Sequence, residues 1–215
     1  MIVPNSLVFA IDDDASVRTG LVRLLRSARY KAEIFDSASD FLARAPHPGP
    51  SCVIVDVRMR GVTGIELQEA LIQRRREEQL IFITGHGNIS MCAKAMKAGA
   101  VDFLPKPFRN EDLLQCVGRA LNRSAEQRRR SAEKTSARLL LDALTSREFE
   151  VMQLVITGML NKQIAAELGT AEKTVKVHRG RVMQKLRVTS VAELVRLVER
   201  ACVARATRAV RETKV

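Results

Sequence analysis

The sequence predicts an α/β domain with a doubly wound, five-stranded parallel sheet, followed by an all-α domain of four helices. The first observation is the apolar run Cys52–Val55, which ends at Asp56 and is typical of a strand buried on both faces. The second is the alternation of such runs with segments of helical spacing over the first 121 residues. The third is a change to purely helical spacing from residue 144 onward.

Five strand-like segments alternate with five helical ones in the N-terminal part. The strands are predicted at Leu7–Ile11, Ala32–Phe35, Cys52–Val55, Leu80–Thr84 and Val101–Leu104. Helices are predicted after each strand from apolar residues at helical spacing, with the last beginning near Asn110 and burying Leu113, Leu114, Val117 and Leu121. This alternation predicts βαβ units and therefore a parallel sheet.

Composition bounds the class of protein. With 215 residues and 46% hydrophobic residues, the chain suits two ordinary domains with real cores. It has no run of 18 apolar residues, and its first residues do not resemble a signal peptide. We therefore expect neither a membrane-spanning helix nor a secretion signal. Cys52, Cys92, Cys116 and Cys202 are widely separated, which predicts reduced core residues of a cytoplasmic protein rather than a metal cluster.

Charge is unevenly distributed along the chain. Residues 1–123 hold 17 Lys and Arg against 14 Asp and Glu, a net of +3, whereas residues 124–215 hold 19 against 10, a net of +9. A basic half behind a near-neutral half suggests a module that binds nucleic acid. Charge alone leaves a solvated basic surface and a contact with an anionic membrane as alternatives.

Polar side chains stand at the ends of four predicted strands. Asp12 and Asp13 follow the first, Asp56 ends the third, Thr84 ends the fourth and Lys106 follows the fifth. Any one of these side chains alone would serve equally well as a strand end or a turn residue. The carboxyl ends of parallel strands meet at one edge, where open α/β sheets bind ligands. Three carboxylates and a lysine there predict a Mg²⁺ site with a carboxylate that accepts a phosphoryl group.

Residues 7–121 resemble the receiver domain of two-component response regulators, especially those of the FixJ type. The matching segments are Ile11-Asp12-Asp13-Asp14, Ile54-Val55-Asp56-Val57-Arg58-Met59, Thr84-Gly85-His86-Gly87 and Asp102-Phe103-Leu104-Pro105-Lys106-Pro107-Phe108. The resemblance implies a flavodoxin-like fold in which Asp56 accepts phosphate from a sensor histidine kinase. It also implies that Asp12, Asp13, Asp56 and the backbone carbonyl of Arg58 hold Mg²⁺.

The same resemblance assigns a switch. Lys106 would contact the phosphoryl group, and Thr84 would turn inward to donate a hydrogen bond to it. Phe103 matches the aromatic residue that moves inward as Thr84 engages, in concert with the helix that begins near Asn88. The Lys106–Pro107 bond matches a cis peptide of the family.

The C-terminal part has the pattern of a helix-turn-helix module. Thr145 and Glu148 have capping-box spacing before a helix that Gly158 ends; Asn161 is expected to cap the next helix. A third, basic helix runs from Glu172 to Leu186 and presents cations suited to a major groove. Spacing alone also permits a merely solvated basic face.

Residues 144–202 resemble the LuxR-type (NarL/FixJ) DNA-binding domain. The matching segments are Leu144-Thr145-x-Arg147-Glu148, Gly158-x-x-Asn161-Lys162-x-Ile164-Ala165 and Thr174-Val175-Lys176-Val177-His178. The resemblance implies double-stranded promoter DNA as a partner, contacted by Lys173, Thr174, Lys176, Val177, His178 and Arg181, with Asn161 and Lys162 near the backbone. A fourth helix over 190–203 carries an apolar stripe that either forms a dimer seam or packs within its own domain.

These features divide the chain into four parts: a receiver domain (1–123), a helical linker (124–142), a LuxR-type helix-turn-helix domain (143–203) and a basic tail (204–215). Two residues depart from the family patterns. Arg60 replaces a usual proline four residues after Asp56, and Ala171 replaces a usual serine at the start of the recognition helix.

The expected function is transcription regulation controlled by phosphorylation of Asp56, with homodimerisation on phosphorylation and RNA polymerase as a candidate partner. Apart from phosphoryl transfer to and from its own Asp56, no enzyme activity is expected. One alternative is a DNA-binding regulator that ignores phosphorylation. Another is a small phosphatase or kinase-like enzyme, which would need a further catalytic constellation that the sequence does not show.

Overall fold

The computed structural model describes residues 3–85 and 89–201. These residues form two compact units, one that ends at Arg129 and one that starts at Arg130. Within the described ranges, no helix combines the length and the apolar composition needed to cross a membrane.

The N-terminal unit is built on a sheet of five parallel strands in the order β2-β1-β3-β4-β5. The strands are β1 (Leu7–Ile11), β2 (Ala32–Phe35), β3 (Ser51–Asp56), β4 (Gln79–Thr84) and β5 (Asp102–Pro105). The helices are α1 (Ala15–Ser27), α2 (Ala38–Ala43), α3 (Gly64–Gln73), α4 (Ile89–Lys97) and α5 (Asn110–Asp142). The predicted fold class, a doubly wound parallel sheet followed by a helical domain, is confirmed.

Every residue of β1, β3 and β4 is buried, as the uninterrupted apolar runs predict. One face of the sheet packs against α2, α3 and α4 through a cluster that includes Phe9, Phe41 and Leu67. The other face packs against α1 and α5 through a cluster that includes Leu25 and Leu113. The sheet is thus covered on both sides, and only its edges reach solvent.

Side-chain caps fix where the helices begin beside the carboxyl edge of the sheet. The Asp14 carboxylate accepts a hydrogen bond from Ser16 N at 2.7 Å and starts α1 directly after the acids that follow β1. Thr63 and Glu66 form a capping box that starts α3 shortly after β3. The capping interactions therefore fix where the two loops that carry the acidic residues end and the helices begin.

The opposite, amino edge of the sheet is closed by the middle of α5. Ser124 Oγ accepts a hydrogen bond from Ser51 N at 3.0 Å, at the first residue of β3. Gln127 Oε1 accepts one from Gln79 Nε2 at 3.1 Å, at the first residue of β4. The next residue, Arg128, donates to the carbonyls of His47 (2.8 Å) and Pro48 (3.0 Å). The segment predicted as a linker is thus helical from its start and contacts the sheet's amino edge.

The C-terminal unit consists of the end of α5 followed by α6 (Ser146–Ile156), α7 (Asn161–Glu167), α8 (Glu172–Lys185) and α9 (Val191–Ala201). The apolar stripe of α9, formed by Leu194, Leu197 and Val198, lies in the core of this unit together with Ala137 and Leu141 of α5. Packing within its own unit accounts for the stripe. The end of the predicted fourth helix and the tail 204–215 lie outside the described residues.

Two of the four cysteines are core residues. Cys52 is fully buried within β3, and burial raises the pKa of its thiol far above the usual range. Cys116 is buried on α5, where burial and then the neighbouring Asp102 carboxylate raise its pKa to about 11. Cys92 is only partly buried, and Cys202 lies outside the described residues. Both core thiols are therefore protonated at neutral pH.

Candidate functional site

The sheet brings Asp12, Asp56, Thr84 and Lys106 together at its carboxyl edge. Asp12 follows β1, Asp56 ends β3 and Thr84 ends β4, and these side chains are all buried in the edge. Lys106 follows β5, and its backbone N–H donates to the Thr84 carbonyl at 2.7 Å. The shared direction of the strands produces this convergence, as the sequence predicts.

Lys106 bridges two of the acids. Its Nζ lies 2.7 Å from Asp12 Oδ2 and 2.6 Å from Asp56 Oδ2. Burial by itself would lower the pKa of the Lys106 ammonium, but the hydrogen bonds to the two carboxylates outweigh it and raise the pKa above the usual 10.5. The ammonium is therefore a fixed positive charge beside Asp56. The Lys106–Pro107 peptide bond is cis, as the family resemblance implies.

The second carboxylate oxygen of Asp56 is held by the loop that follows it. Asp56 Oδ1 accepts a hydrogen bond from Arg58 N at 2.9 Å. The loop closes where Gly64 N donates to the Val57 carbonyl at 3.1 Å. There the α carbon of Gly64 lies so close to Asp56 that an added Cβ would stand 2.5 Å from the Asp56 carbonyl oxygen. The main chain around the predicted phosphoacceptor is thus tightly packed.

Asp13 is more exposed than the other two acids and faces a different cation. Its Oδ2 accepts a hydrogen bond from Arg60 N at 3.3 Å and lies 3.9 Å from Arg60 Nε. The Arg60 side chain itself is 97% exposed, so this ion pair lies in solvent.

The donor set suits Mg²⁺ in chemistry but is not assembled around a metal in this conformation. Asp12, Asp13 and Asp56 offer carboxylate oxygens, which are the ligands that Mg²⁺ prefers. Across residues 3–85 and 89–201, no three acidic, histidine or cysteine side chains are grouped as a metal site. The acids instead contact the chain's own cations, since Lys106 lies between Asp12 and Asp56 and Arg60 lies beside Asp13.

The predicted switch residues lie on neighbouring strands. Thr84 is 1% exposed, and Phe103 of β5 is half-buried with its ring centroid 6.1 Å from that of Phe82. Phe103 packs at the margin of the sheet-face cluster that includes α4 residue Ala95. Residues 86–88, which include part of a family motif and the predicted start of the switch helix, lie outside the described residues.

The basic helix α8 buries Val175 and Val182 and exposes most of the predicted DNA contacts. The side chains on its outer face are exposed, namely those of Lys173, Thr174, Lys176, Val177 and Arg181. His178 is half-buried, and its Nδ1 makes no hydrogen bond within the described residues. Lys162 of α7 is exposed and Asn161 is half-buried. One helix face thus carries cations, a hydroxyl and an apolar side chain together.

The prediction that Asn161 caps α7 is wrong. Asn161 is the first helical residue, and Leu160 occupies the cap position. Gln163 takes over the capping function, because its Oε1 accepts a hydrogen bond from Leu160 N at 2.8 Å. The Asn161 side chain instead accepts a hydrogen bond from Arg179 Nη1 of α8 at 3.0 Å.

Sequence reasoning missed Arg179 as a residue that positions the two helices of the helix-turn-helix. The signal lies in the spacing, because Arg179 stands four residues after Val175 and three before Val182, on the inward side of α8. Lys185, at the end of α8, also contacts another helix, because its Nζ lies 2.6 Å from Glu148 Oε2 of α6.

Two family models match the chain, one over each of its two parts. A model of the response regulator receiver domain matches residues 8–118. A model of the luxR family of bacterial regulatory proteins matches residues 142–198. The chain belongs to the response regulators.

Relatives of this response regulator match it along most of its length. Nodulation protein W of Bradyrhizobium diazoefficiens is 46% identical over 91% of this chain and 86% of that protein. The structure of the response regulator StyR has a TM-score of 0.83 and 50% identity, covering 91% of this chain and 98% of the other. Full-length FixJ from B. japonicum has a TM-score of 0.56 and 37% identity, covering 91% and 96%.

The response regulator therefore combines a receiver domain with a LuxR-type DNA-binding domain in one chain. This combination makes it a two-component transcriptional regulator, and it implies a kinase partner and DNA binding.

Proposed function

We propose that this response regulator is switched by phosphorylation of Asp56, which controls its dimerisation and its binding to promoter DNA. The observation that carries the proposal is the pair of contacts from Lys106 to Asp12 and Asp56 at the carboxyl edge of the sheet. A carboxylate held beside a fixed ammonium and further acids has the surroundings that a phosphoryl acceptor needs, because positioning and charge neutralisation supply most of this catalysis.

In the proposed reaction, an Asp56 carboxylate oxygen attacks the phosphorus of a phosphohistidine on the sensor kinase. The new O–P bond forms as the N–P bond breaks, and the imidazole leaves and takes up a proton from water. Lys106 compensates the charge on the phosphoryl oxygens, since its ammonium already lies 2.6 Å from Asp56 Oδ2. The Arg58 N–H keeps Asp56 Oδ1 oriented throughout the transfer.

Mg²⁺ is the proposed cofactor, held by Asp12, Asp13, Asp56 and the backbone carbonyl of Arg58. When bound, it supplies positive charge to the phosphoryl oxygens. For the metal to be held there, Asp13 would have to exchange its contact with Arg60 for the metal. The exposed position of Asp13 is suited to that exchange, because its partner Arg60 lies in solvent.

The proposed signal leaves the site through Thr84 and Phe103. Thr84 ends β4, beside Asp56 at the end of β3, and its hydroxyl would donate to the phosphoryl group. Phe103, whose ring lies 6.1 Å from that of Phe82, would then move inward. Because Phe103 is half-buried, this movement would remove more of its ring from solvent. The change would bias α4 and β5 between two arrangements.

For the output, we propose that two phosphorylated copies place their α8 helices on half-sites about one turn of DNA apart. Lys173, Lys176 and Arg181 are the proposed phosphate and base contacts, assisted by Thr174, Val177 and His178. Asn161 and Lys162 would lie near the DNA backbone. A kinase and RNA polymerase complete the proposed partners, and the proposed location is the cytoplasm, where promoter DNA is found.

The deciding experiment is sedimentation of the full-length chain with Mg²⁺, with and without a small phosphoryl donor or beryllofluoride. We expect a shift from monomer to dimer that Asp56→Asn removes. Asp36→Asn is the matched control, because Asp36 is an exposed aspartate of the same domain. Normal dimerisation of Asp56→Asn with phosphoryl donor would disprove the switch.

One observation favours a second candidate, a DNA-binding regulator that acts without phosphorylation. Arg60, at a position where the family usually has a proline, places a cation beside Asp13, and a cation there would oppose metal binding. Failure of the wild-type chain to take up phosphate in the presence of Mg²⁺ would favour this candidate.

A further inference from the structure

Arg60 contacts the most exposed of the three acids twice. Its backbone N–H donates to Asp13 Oδ2 at 3.3 Å, and its Nε lies 3.9 Å from the same oxygen. The other two acids, Asp12 and Asp56, contact Lys106 instead. Each cation therefore serves different acids, Arg60 pairing with Asp13 and Lys106 with Asp12 and Asp56.

The two cations differ in how readily they can leave. The Lys106 side chain is 23% exposed and donates two short hydrogen bonds, so it is held in place. The Arg60 side chain is 97% exposed, and its Nε lies 3.9 Å from Asp13 Oδ2, a long distance for an ion pair. Arg60 can therefore release Asp13 to a competing cation at small cost, whereas Lys106 cannot move without leaving two carboxylates unpaired.

We propose that Arg60 competes with Mg²⁺ for Asp13 and so lowers the metal affinity of the phosphoacceptor site. This inference rests on the proposed Mg²⁺ site. It adds that Arg60 helps to set the Mg²⁺ concentration at which Asp56 can react. The arginine side chain places a positive charge beside Asp13, one of the residues that would hold the metal. That charge acts against the binding of a dication and requires no change of fold.

The expected reduction in Mg²⁺ affinity is small because the Arg60–Asp13 ion pair is exposed to solvent. Exposed ion pairs are weak, so Arg60 should reduce the Mg²⁺ affinity by a factor of about two to five at low ionic strength. Screening should shrink this factor strongly at about 1 M salt, where the Debye length falls to about 3 Å. Arg60 would thus set the concentration range of metal dependence rather than prevent binding.

The test measures metal binding directly and does not depend on phosphorylation. With no Trp and a single Tyr in the chain, intrinsic fluorescence is a poor reporter. Mn²⁺ is therefore titrated into the full-length protein, the free aquo ion is followed by electron paramagnetic resonance, and Mg²⁺ affinity is obtained by competition. The variants are Arg60→Gln, which removes the charge, and Arg60→Lys, which keeps it. The control is Arg26→Gln, an exposed residue in the last turn of α1, at the other end of the domain.

We expect Arg60→Gln to bind both metals two- to fivefold more tightly, with Arg60→Lys and Arg26→Gln close to wild type. Equal affinity of Arg60→Gln and wild type would overturn the role of Arg60 while leaving the metal site intact. Equal tightening in Arg26→Gln would also overturn it, since the effect would then reflect net charge. Absence of any metal binding by the wild-type chain at millimolar concentrations would overturn the proposed Mg²⁺ site and this inference together.

Discussion

Lys185 and Glu148 form an ion pair between two helices of the DNA-binding unit, with Nζ 2.6 Å from Oε2. The Glu148 side chain is 3% exposed and that of Lys185 is 37% exposed. The hydrogen bond from Lys185, and then the one from Thr145 N, lower the pKa of Glu148 from 4.5 to about 2. A single carboxylate thus joins the start of α6 to the end of α8.

The first prediction concerns the pH dependence of this pair. Because the folded pKa of Glu148 is lowered, its contribution to stability is fully present above pH 4.5 and is lost as the pH falls towards 2. Lys185→Met should lower the thermal midpoint of the C-terminal unit at pH 7, and the difference from wild type should shrink below pH 4. Circular dichroism of the full chain measures both. Lys176→Met on the exposed face is the control, and a difference independent of pH would contradict the prediction.

Gly64→Ala should destabilise the receiver domain by about 1–3 kcal/mol, because overpacking forces the backbone to shift. The new Cβ would stand 2.5 Å from the Asp56 carbonyl and 3.2 Å from the Phe82 ring. Uptake of phosphate from a small donor should slow as well, since the displaced segment carries the acceptor. Gly20→Ala is the matched control, because a Cβ there meets nothing within 4 Å and should stabilise α1 by up to about 1 kcal/mol. Equal behaviour of the two variants would refute the close approach.

Arg181 and Arg179 should have separable effects on DNA binding. Arg181 is exposed on α8, whereas Arg179 donates to Asn161 Oδ1. Arg181→Ala should weaken binding and make the negative slope of log K against log salt shallower by about one, as expected when a phosphate contact is lost. Arg179→Met should weaken binding without changing the slope. Fluorescence anisotropy with labelled duplex DNA over a range of salt concentrations measures both effects. A shallower salt dependence for Arg179→Met would mean that Arg179 itself contacts a phosphate.

Ala171→Ser should stabilise the DNA-binding unit by about 1 kcal/mol. Ala171 stands at the cap position of α8 in an extended conformation (φ −80°, ψ 145°), and its side chain makes no capping hydrogen bond. A serine there places a hydroxyl oxygen within reach of the N–H groups of the first turn. Thermal unfolding monitored by circular dichroism tests this, and an unchanged or lower midpoint would count against it.

The sheet and its acidic edge were predictable because both follow from local patterns. Apolar runs that end in Asp56 or Thr84 predict buried parallel strands, and the shared strand direction brings their ends together whatever the intervening loops do. The two residues of the Lys106–Asp56 contact are 50 positions apart, yet their meeting needs only the order of the strands.

Contacts between side chains on separate elements were not predictable in the same way. Nothing in the spacing indicates that Arg60 turns to Asp13, because both lie in loops whose path the pattern does not define. The cap of α7 was mispredicted because the helix begins one residue earlier than the polar pattern indicates, with the apolar Leu160 at the cap position. Gln163 accepts a hydrogen bond from Leu160 N, and Asn161 accepts one from Arg179 instead.

The contacts of α5 with the amino edge of the sheet bear on how the receiver domain should be isolated. The family match ends at residue 118, whereas Ser124, Gln127 and Arg128 hold the first residues of β3 and β4 and the loop before them. A fragment cut at the end of the match would leave the buried Ser51 amide without its acceptor and uncover the margin of the sheet. Truncation after Arg129 keeps all of these contacts within one polypeptide, so the shorter fragment should be the more prone to aggregate.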